Sequence, residues 1–201
     1  SAGEKTVGEI MRILFLSLFL LAMTVALKAQ VPDSTALIII DIQQFYFPGG
    51  SVPLENPQAA AEKAAGLLAW FRESHKPVVH VGHISRSGSE FHPLVLPATG
   101  EKVIMKKEVN AFLNTDLEEF LRANHITYLI LCGMQTHMCL EGATRAAHDL
   151  GFQCIVAADA CATRDLTFGT VTVKASDVHA ATLATLKSYA LVKNTAEIGN
   201  Q

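Results

Sequence analysis

Three residues that together could activate a thiol each follow a separate apolar run of the sequence. Asp41 follows three isoleucines, Lys106 ends the run Val-Ile-Met-Lys, and Cys139 lies six residues beyond Gly133, where another apolar run ends. A nearby cation stabilises a thiolate, and a nearby carboxylate can accept the proton of the thiol. These residue types therefore indicate hydrolysis by a cysteine nucleophile, with Asp41 as the general base.

The three residues meet only if their apolar runs are neighbouring parallel strands. We predict strands at residues 36–41, 77–83, 103–106, 128–132, 153–157 and 190–193. Helical patterns alternate with them, starting at Pro57, at Thr115, after Cys139 as far as Gly151, and at Ser176. The alternation predicts an α/β domain with a three-layer αβα, Rossmann-like fold: a six-stranded, mainly parallel sheet with helices on both faces. Ligands bind at the carboxyl ends of such strands, where Asp41, Lys106 and Cys139 lie.

Each of the three residues has a purely structural alternative. Thr136 can cap a helix that places Cys139 near the positive end of the helix dipole, which predicts a thiol pKa below the usual value of about 8.5. The alternative interpretation of Cys139 is a small apolar residue that covers the helix start. Asp41 could cap a turn. Lys107 competes with Lys106, because side chains alternate along a strand and only one of the two faces the site.

Composition narrows the partners and the compartment. The 201 residues have a net charge of −3, which gives no basic surface for nucleic acid, so we expect a small-molecule partner. Residues 13–27 form an uncharged apolar run after Met11-Arg12, which is typical of a signal peptide and short for a membrane span. We therefore expect residues 1–30 to comprise upstream residues and a signal peptide, and residues 31–201 a single domain without a membrane segment. The mature protein would then be secreted or periplasmic, and otherwise cytoplasmic.

The histidine and serine patterns favour no other hydrolase class. His80 and His83 are three residues apart in a strand and point to opposite faces, and none of the eight histidines lies in an HxH or HExxH group. We therefore expect neither a metal nor another cofactor. The serines lack a GxSxG motif. The four cysteines show no disulfide framework, and the strand patterns place Cys132 and Cys154 in the core.

The chain from residue 35 to residue 194 resembles the isochorismatase-like cysteine hydrolases, the superfamily that includes nicotinamidase. The resemblance rests on several segments that occur in the same order. They are residues 40–50 (IDIQQFYFPGG), Lys106 six residues before Phe112, residues 133–139 (GMQTHMC), residues 144–147 (TRAA), residues 159–164 (DACATR) and residues 178–179 (VH).

The resemblance implies a catalytic triad of Asp41, Lys106 and Cys139, and it favours Lys106 over Lys107. It also implies a cis peptide bond between Met134 and Gln135 and an oxyanion hole formed by the N–H groups of Gln135 and Cys139. The Asp-x-His metal motif of the nicotinamidases is replaced by His80-Val-Gly-His83. Cys139 favours hydrolysis of a C–N bond, because isochorismatases proper cleave a vinyl ether without this cysteine. The family also suggests a homo-oligomer.

The expected activity is thus hydrolysis of a small amide through a thioester intermediate. Polar substrate contacts are predicted from Gln43, His83 and Arg86, and an aromatic pocket wall from Phe47, Phe91 and Phe112. Two alternatives remain open at this point. One is a vinyl-ether hydrolase in which Cys139 takes no part, and the other is a non-catalytic binding protein on the same fold.

Overall fold

The computed structural model describes residues 31–199, and its central feature is one parallel sheet. Long apolar runs form these strands because both faces of the sheet are covered, as the fully buried β1 shows. The strands of the sheet are β1 (Thr35–Ile40), β2 (Val78–His83), β3 (Lys102–Lys106), β4 (Tyr128–Met134), β5 (Gln153–Ala162) and β8 (Leu191–Lys193). They lie side by side in the order β3-β2-β1-β4-β5-β8.

Helices cover both faces of this sheet, which confirms the predicted three-layer fold. One face packs against α1 (Pro57–Glu73), which buries Leu67, Leu68 and Phe71, and α1 in turn contacts α5 (Thr195–Gly199). The other face shares its apolar core with α2 (Leu117–Ala123), α3 (Glu141–Asp149) and α4 (Ala175–Leu186). The core on this second face includes Cys139 and so reaches the predicted site.

The strand predictions differ from the structure mainly at β5 and after it. Strand β5 runs to Ala162, five residues beyond the predicted end, because its last residues pair with the end of β4 after a register shift. A two-stranded hairpin that was not predicted follows, formed by β6 (Leu166–Phe168) and β7 (Val171–Val173). Its strands are only three residues long, too short for a clear alternating pattern.

Two helices begin one or two residues away from their predicted starts. Helix α4 begins at Ala175, whose N–H donates to the Asp165 carboxylate, so Ser176 is inside the helix. Helix α2 begins at Leu117, and the Thr115 hydroxyl accepts from the Leu117 N–H. The predicted start of α1 at Pro57 is confirmed.

The predicted signal peptide lies outside the described residues. Within residues 31–199, none of the helices is long and apolar enough to cross a membrane. All four cysteines are buried and free of disulfides, which confirms the core positions predicted for Cys132 and Cys154.

Candidate active site

The order in which the chain adds strands to the sheet reverses between β1 and β4, and the site forms at this point. From β1 the chain continues to β2 and β3 on one side and then returns to β4 on the other. The carboxyl ends of β1 and β4 therefore open a crevice, the usual ligand position in such sheets. Asp41 leaves β1 with φ +50°. Gly133 has φ +126°, and a Cβ on it would lie 1.9 Å from the Ile40 carbonyl oxygen, so only glycine fits this close approach.

Asp41, Lys106 and Cys139 form one buried cluster, which we call the buried triad. The Lys106 Nζ donates to Asp41 Oδ2 at 2.8 Å and to Cys139 Sγ at 3.2 Å. The three residues are 0%, 1% and 4% exposed, respectively. Lys106 shares its strand face with the buried Ile104, whereas Lys107 is exposed. Strand alternation thus selects Lys106 over Lys107, as predicted.

His83 completes the shell around the Lys106 ammonium. Its Nδ1 lies 3.3 Å from Nζ, so the three N–H bonds of the ammonium have three acceptors. The ring is anchored through its backbone, because the His83 N–H donates to Gln43 Oε1 at 2.7 Å and the Gln43 amide donates to the His83 carbonyl at 3.1 Å. The same amide donates to the Ser89 carbonyl. Gln43 is fully buried, and both of its amide hydrogens are engaged, which argues against the predicted substrate contact and assigns it a positioning role.

The prediction of a low thiol pKa is wrong for this buried site. Burial raises the pKa of Cys139 to about 12, and the Asp41 carboxylate adds to the effect more than the Lys106 ammonium opposes it. Burial also raises the pKa of Asp41 above its ordinary value, although Lys106 acts in the opposite direction. The resting thiol therefore keeps its proton, and a thiolate forms only if a base within the site accepts that proton.

The turn that carries Cys139 is a π-helix, Thr136–Leu140, and not the predicted capped α-helix. The Thr136 hydroxyl pairs with His179 Nδ1 at 3.0 Å instead of capping the turn. The peptide bond between Met134 and Gln135 is cis, as the family resemblance implied.

Two residues beside Gln135 were missed as site residues. The side-chain Nε2 of the buried Gln135 donates to the Tyr46 hydroxyl at 3.4 Å, and its side-chain Oε1 accepts from Arg164 Nε at 3.2 Å. Burial raises the pKa of Tyr46, so its hydroxyl stays neutral. Tyr46 and Arg164 both lie in segments on which the family resemblance rests, and that was the signal that could have identified them.

The three aromatic residues predicted to wall the pocket each pack against another ring. The ring of Phe47 stacks on that of His92 with the two centroids 3.9 Å apart, and the ring of Phe112 stacks on that of the core residue Phe152 with the centroids 6.0 Å apart. Phe91 packs edge-on to His80 at 5.8 Å, on the face of β2 opposite to His83. Each ring therefore has a packing role that the sequence could not distinguish from lining a pocket.

Arg86 is exposed in the loop after β2. The contacts of His80 and His83 confirm that they point to opposite faces, because His80 pairs with Glu101 and His83 with Lys106. Asp41, His83 and Cys139 each offer a metal-ligating atom, and these three atoms lie within 4.8 Å of one another. They are the described residues best arranged to hold a cation, and Lys106 already supplies one.

A cavity of about 560 Å³ lies beside this site, between the starts of α1 and α4. Its lining includes Thr163, which bonds His137 at 2.6 Å, and His179, but no residue of the buried triad. The Cys139 thiol is therefore not part of the cavity wall. Two of the cavity's charged groups neutralise each other, Lys174 and Asp165 at 2.8 Å. The arrangement of acid, ammonium and thiol, rather than the cavity, defines the candidate active site.

Comparisons with known proteins agree with this geometry. The model of the isochorismatase domain matches residues 35–196. The Bacillus subtilis isochorismatase family protein YddQ is 42% identical over 174 residues, covering 81% of this chain and 97% of YddQ. Maleamate amidohydrolase of Pseudomonas putida is 32% identical over 146 residues, 60% of this chain and 68% of that enzyme. The crystal structure of an isochorismatase hydrolase from Oleispira antarctica has a TM-score of 0.81 at 42% identity, covering 86% of this chain and 99% of that one. The chain therefore belongs to the isochorismatase family and is a hydrolase of that family.

Proposed function

We propose that this hydrolase cleaves the C–N bond of a small amide through a thioester on Cys139. The observation that supports this most directly is the position of the Lys106 ammonium, which contacts both the Asp41 carboxylate and the Cys139 sulfur inside the protein. One cation thus faces two groups that share one negative charge. Moving the thiol proton to Asp41 transfers that charge to sulfur while Lys106 continues to neutralise it.

The proposed reaction uses each member of the buried triad. Asp41 accepts the thiol proton, and the sulfur attacks the amide carbonyl. The backbone N–H groups of Gln135 and Cys139 are proposed to stabilise the oxyanion. Asp41 then protonates the departing amine, and a water molecule activated by the same carboxylate hydrolyses the thioester. The raised pKa of Asp41 suits both steps, because the group must take up a proton and later release it.

We propose an amide that also carries an anionic group as the substrate class. Arg164 is exposed, yet its Nε donates to the side-chain Oε1 of the buried Gln135. Its guanidinium therefore lies next to the residue whose backbone N–H is proposed to stabilise the oxyanion. Arginine binds carboxylates through paired N–H donors. The relative named maleamate amidohydrolase acts, by its name, on an amide that bears a carboxylate. His83 and Arg86 stay predicted substrate contacts.

The proposal is tested by measuring ammonia release from a panel of small amides, with and without a carboxylate. The acyl-enzyme is sought by rapid acid quench and peptide mass spectrometry, and hydroxylamine in a parallel reaction should release its acyl group as a hydroxamate. We expect turnover and an acyl group on Cys139, both lost in Cys139→Ser and both kept in Cys154→Ser, a matched change of another buried thiol. Amide hydrolysis that survives in Cys139→Ser would contradict the thioester, and cleavage of a vinyl ether that survives in the same variant would favour the vinyl-ether alternative.

Two further predictions concern the mature protein. The family resemblance predicts a homo-oligomer, which light scattering of the purified protein will measure. The apolar run at residues 13–27 predicts export, which intact mass and N-terminal sequencing of protein from the native host will check.

A further inference from the structure

The Lys106 ammonium lies where a metal ion would lie. Its three neighbours are a carboxylate oxygen of Asp41 at 2.8 Å, Nδ1 of His83 at 3.3 Å and the sulfur of Cys139 at 3.2 Å. Oxygen, imidazole nitrogen and sulfur are the ligand types that bind zinc in proteins. The ligand atoms of these three residues lie within 4.8 Å of one another.

The hydrogen-bond chemistry sets the state of the imidazole. An ammonium only donates, so His83 Nδ1 must accept and must present its lone pair toward the centre of the three ligands. That is the neutral form in which histidine binds a metal. Gln43 fixes the backbone of His83 on both sides, and the contact with Lys106 orients its ring.

We propose that Asp41, His83 and Cys139 form a latent site for a thiophilic divalent cation, zinc or cadmium, and that Lys106 keeps this site closed to metals. A carboxylate and a thiolate would neutralise a divalent charge, but an ammonium at the same point repels it. Lys106 thus has a second role besides stabilising the thiolate: it excludes metals from a donor set that would otherwise bind them.

The distances are compatible with this exchange. Zinc binds oxygen and nitrogen at about 2.0–2.2 Å and sulfur at about 2.3 Å, so each ligand would move inward by roughly 1 Å. Removal of the Lys106 side chain leaves space for a water molecule, and three protein ligands with one water form the usual open zinc site. Cys139 loses its proton on binding, as metal-bound thiols do.

The test compares zinc binding by the wild type, Lys106→Ala and Lys107→Ala, measured by competition with a chromophoric chelator and by native mass spectrometry. Lys107 is the matched control because it is the exposed neighbour of Lys106. We expect Lys106→Ala to bind one zinc ion at least about 100-fold more tightly than the wild type, because a divalent ion no longer has to displace an ammonium. Lys107→Ala should match the wild type.

Two further changes in the Lys106→Ala background locate the ligands. His83→Ala and Cys139→Ser should each weaken zinc binding by at least about tenfold, whereas Cys154→Ser should not. Equal affinities of the wild type and Lys106→Ala, or an affinity that His83→Ala leaves unchanged, would overturn the proposal. Should Lys106→Ala fold poorly, Lys106→Leu is tested by thermal unfolding with and without zinc. A rise of Tm with zinc supports the latent site, and an unchanged Tm refutes it.

Discussion

Replacing Lys106 by leucine removes the ammonium that contacts both the base and the nucleophile. The ammonium lies 3.2 Å from the Cys139 sulfur. At an effective dielectric constant of about 20, a charge pair at this distance is worth about 5 kcal/mol. Loss of that stabilisation of the thiolate corresponds to a fall of roughly 10³- to 10⁴-fold in its population, and we expect the reactivity of Cys139 to fall accordingly.

The assay is the rate of alkylation by iodoacetamide, with peptide mapping of each cysteine. Cys154 and Cys161 are internal references, because they are 6% and 7% exposed and Cys139 is 4% exposed. Burial raises the pKa of both reference thiols to about 12, as it does for Cys139. Neither exposure nor burial therefore distinguishes the three thiols. Preferential labelling of Cys139 in the wild type must come from its contacts with the buried triad, and Lys106→Leu should abolish it.

Stability must be separated from chemistry in this experiment. Breaking a buried ion pair by removing one partner costs about 3–5 kcal/mol, so Lys106→Leu also destabilises the fold. The double variant Asp41→Asn with Lys106→Leu removes both charges and should regain much of that stability without regaining reactivity. Lys107→Leu is the matched control with an intact triad. A folded Lys106→Leu protein whose Cys139 is alkylated as fast as in the wild type would refute the reasoning.

Three other substitutions test separate parts of the structure. Asp41→Asn should lower amide hydrolysis by about 10²-fold or more in steady-state assays. It should also slow alkylation of Cys139, because Asp41 is the base that accepts the thiol proton. Gly133→Ala should destabilise the protein by more than about 4 kcal/mol in urea unfolding, whereas Gly66→Ala, in a helix with open space around it, should stabilise by up to about 1 kcal/mol. Burial opposes ionisation of Glu101, but its hydrogen bonds outweigh this and lower the pKa to about 2. Glu101→Gln should therefore lower the free energy of unfolding by roughly 3 kcal/mol above pH 4.5. The difference in stability between the variant and the wild type should vanish as the pH falls toward 2.

Local chemistry in the sequence was sufficient to predict most of the fold. A parallel strand that is buried on both faces is apolar along its whole length, so the run that ends before Asp41 could be recognised from its own residues. Strand alternation explains why Lys106 is buried while Lys107 is exposed. Helix starts were less predictable, because serine and threonine side chains can cap helices and can also bond to distant groups. Thr136 bonds to His179, 43 residues away.

The residue types of the site and their order along the chain follow from the amino-acid sequence alone: an acid, a lysine and a cysteine, each after an apolar run. How these residues interact depends on the tertiary fold. The order of the strands brings β1 and β4 together, which places Asp41 beside Cys139, and no local pattern encodes that order. Burial raises the thiol pKa instead of lowering it, because desolvation depends on everything that surrounds the sulfur and not on its position in a turn. His83 contacts Lys106 because β2 and β3 are neighbouring strands whose register places the two residues side by side, and that register is also set by the fold.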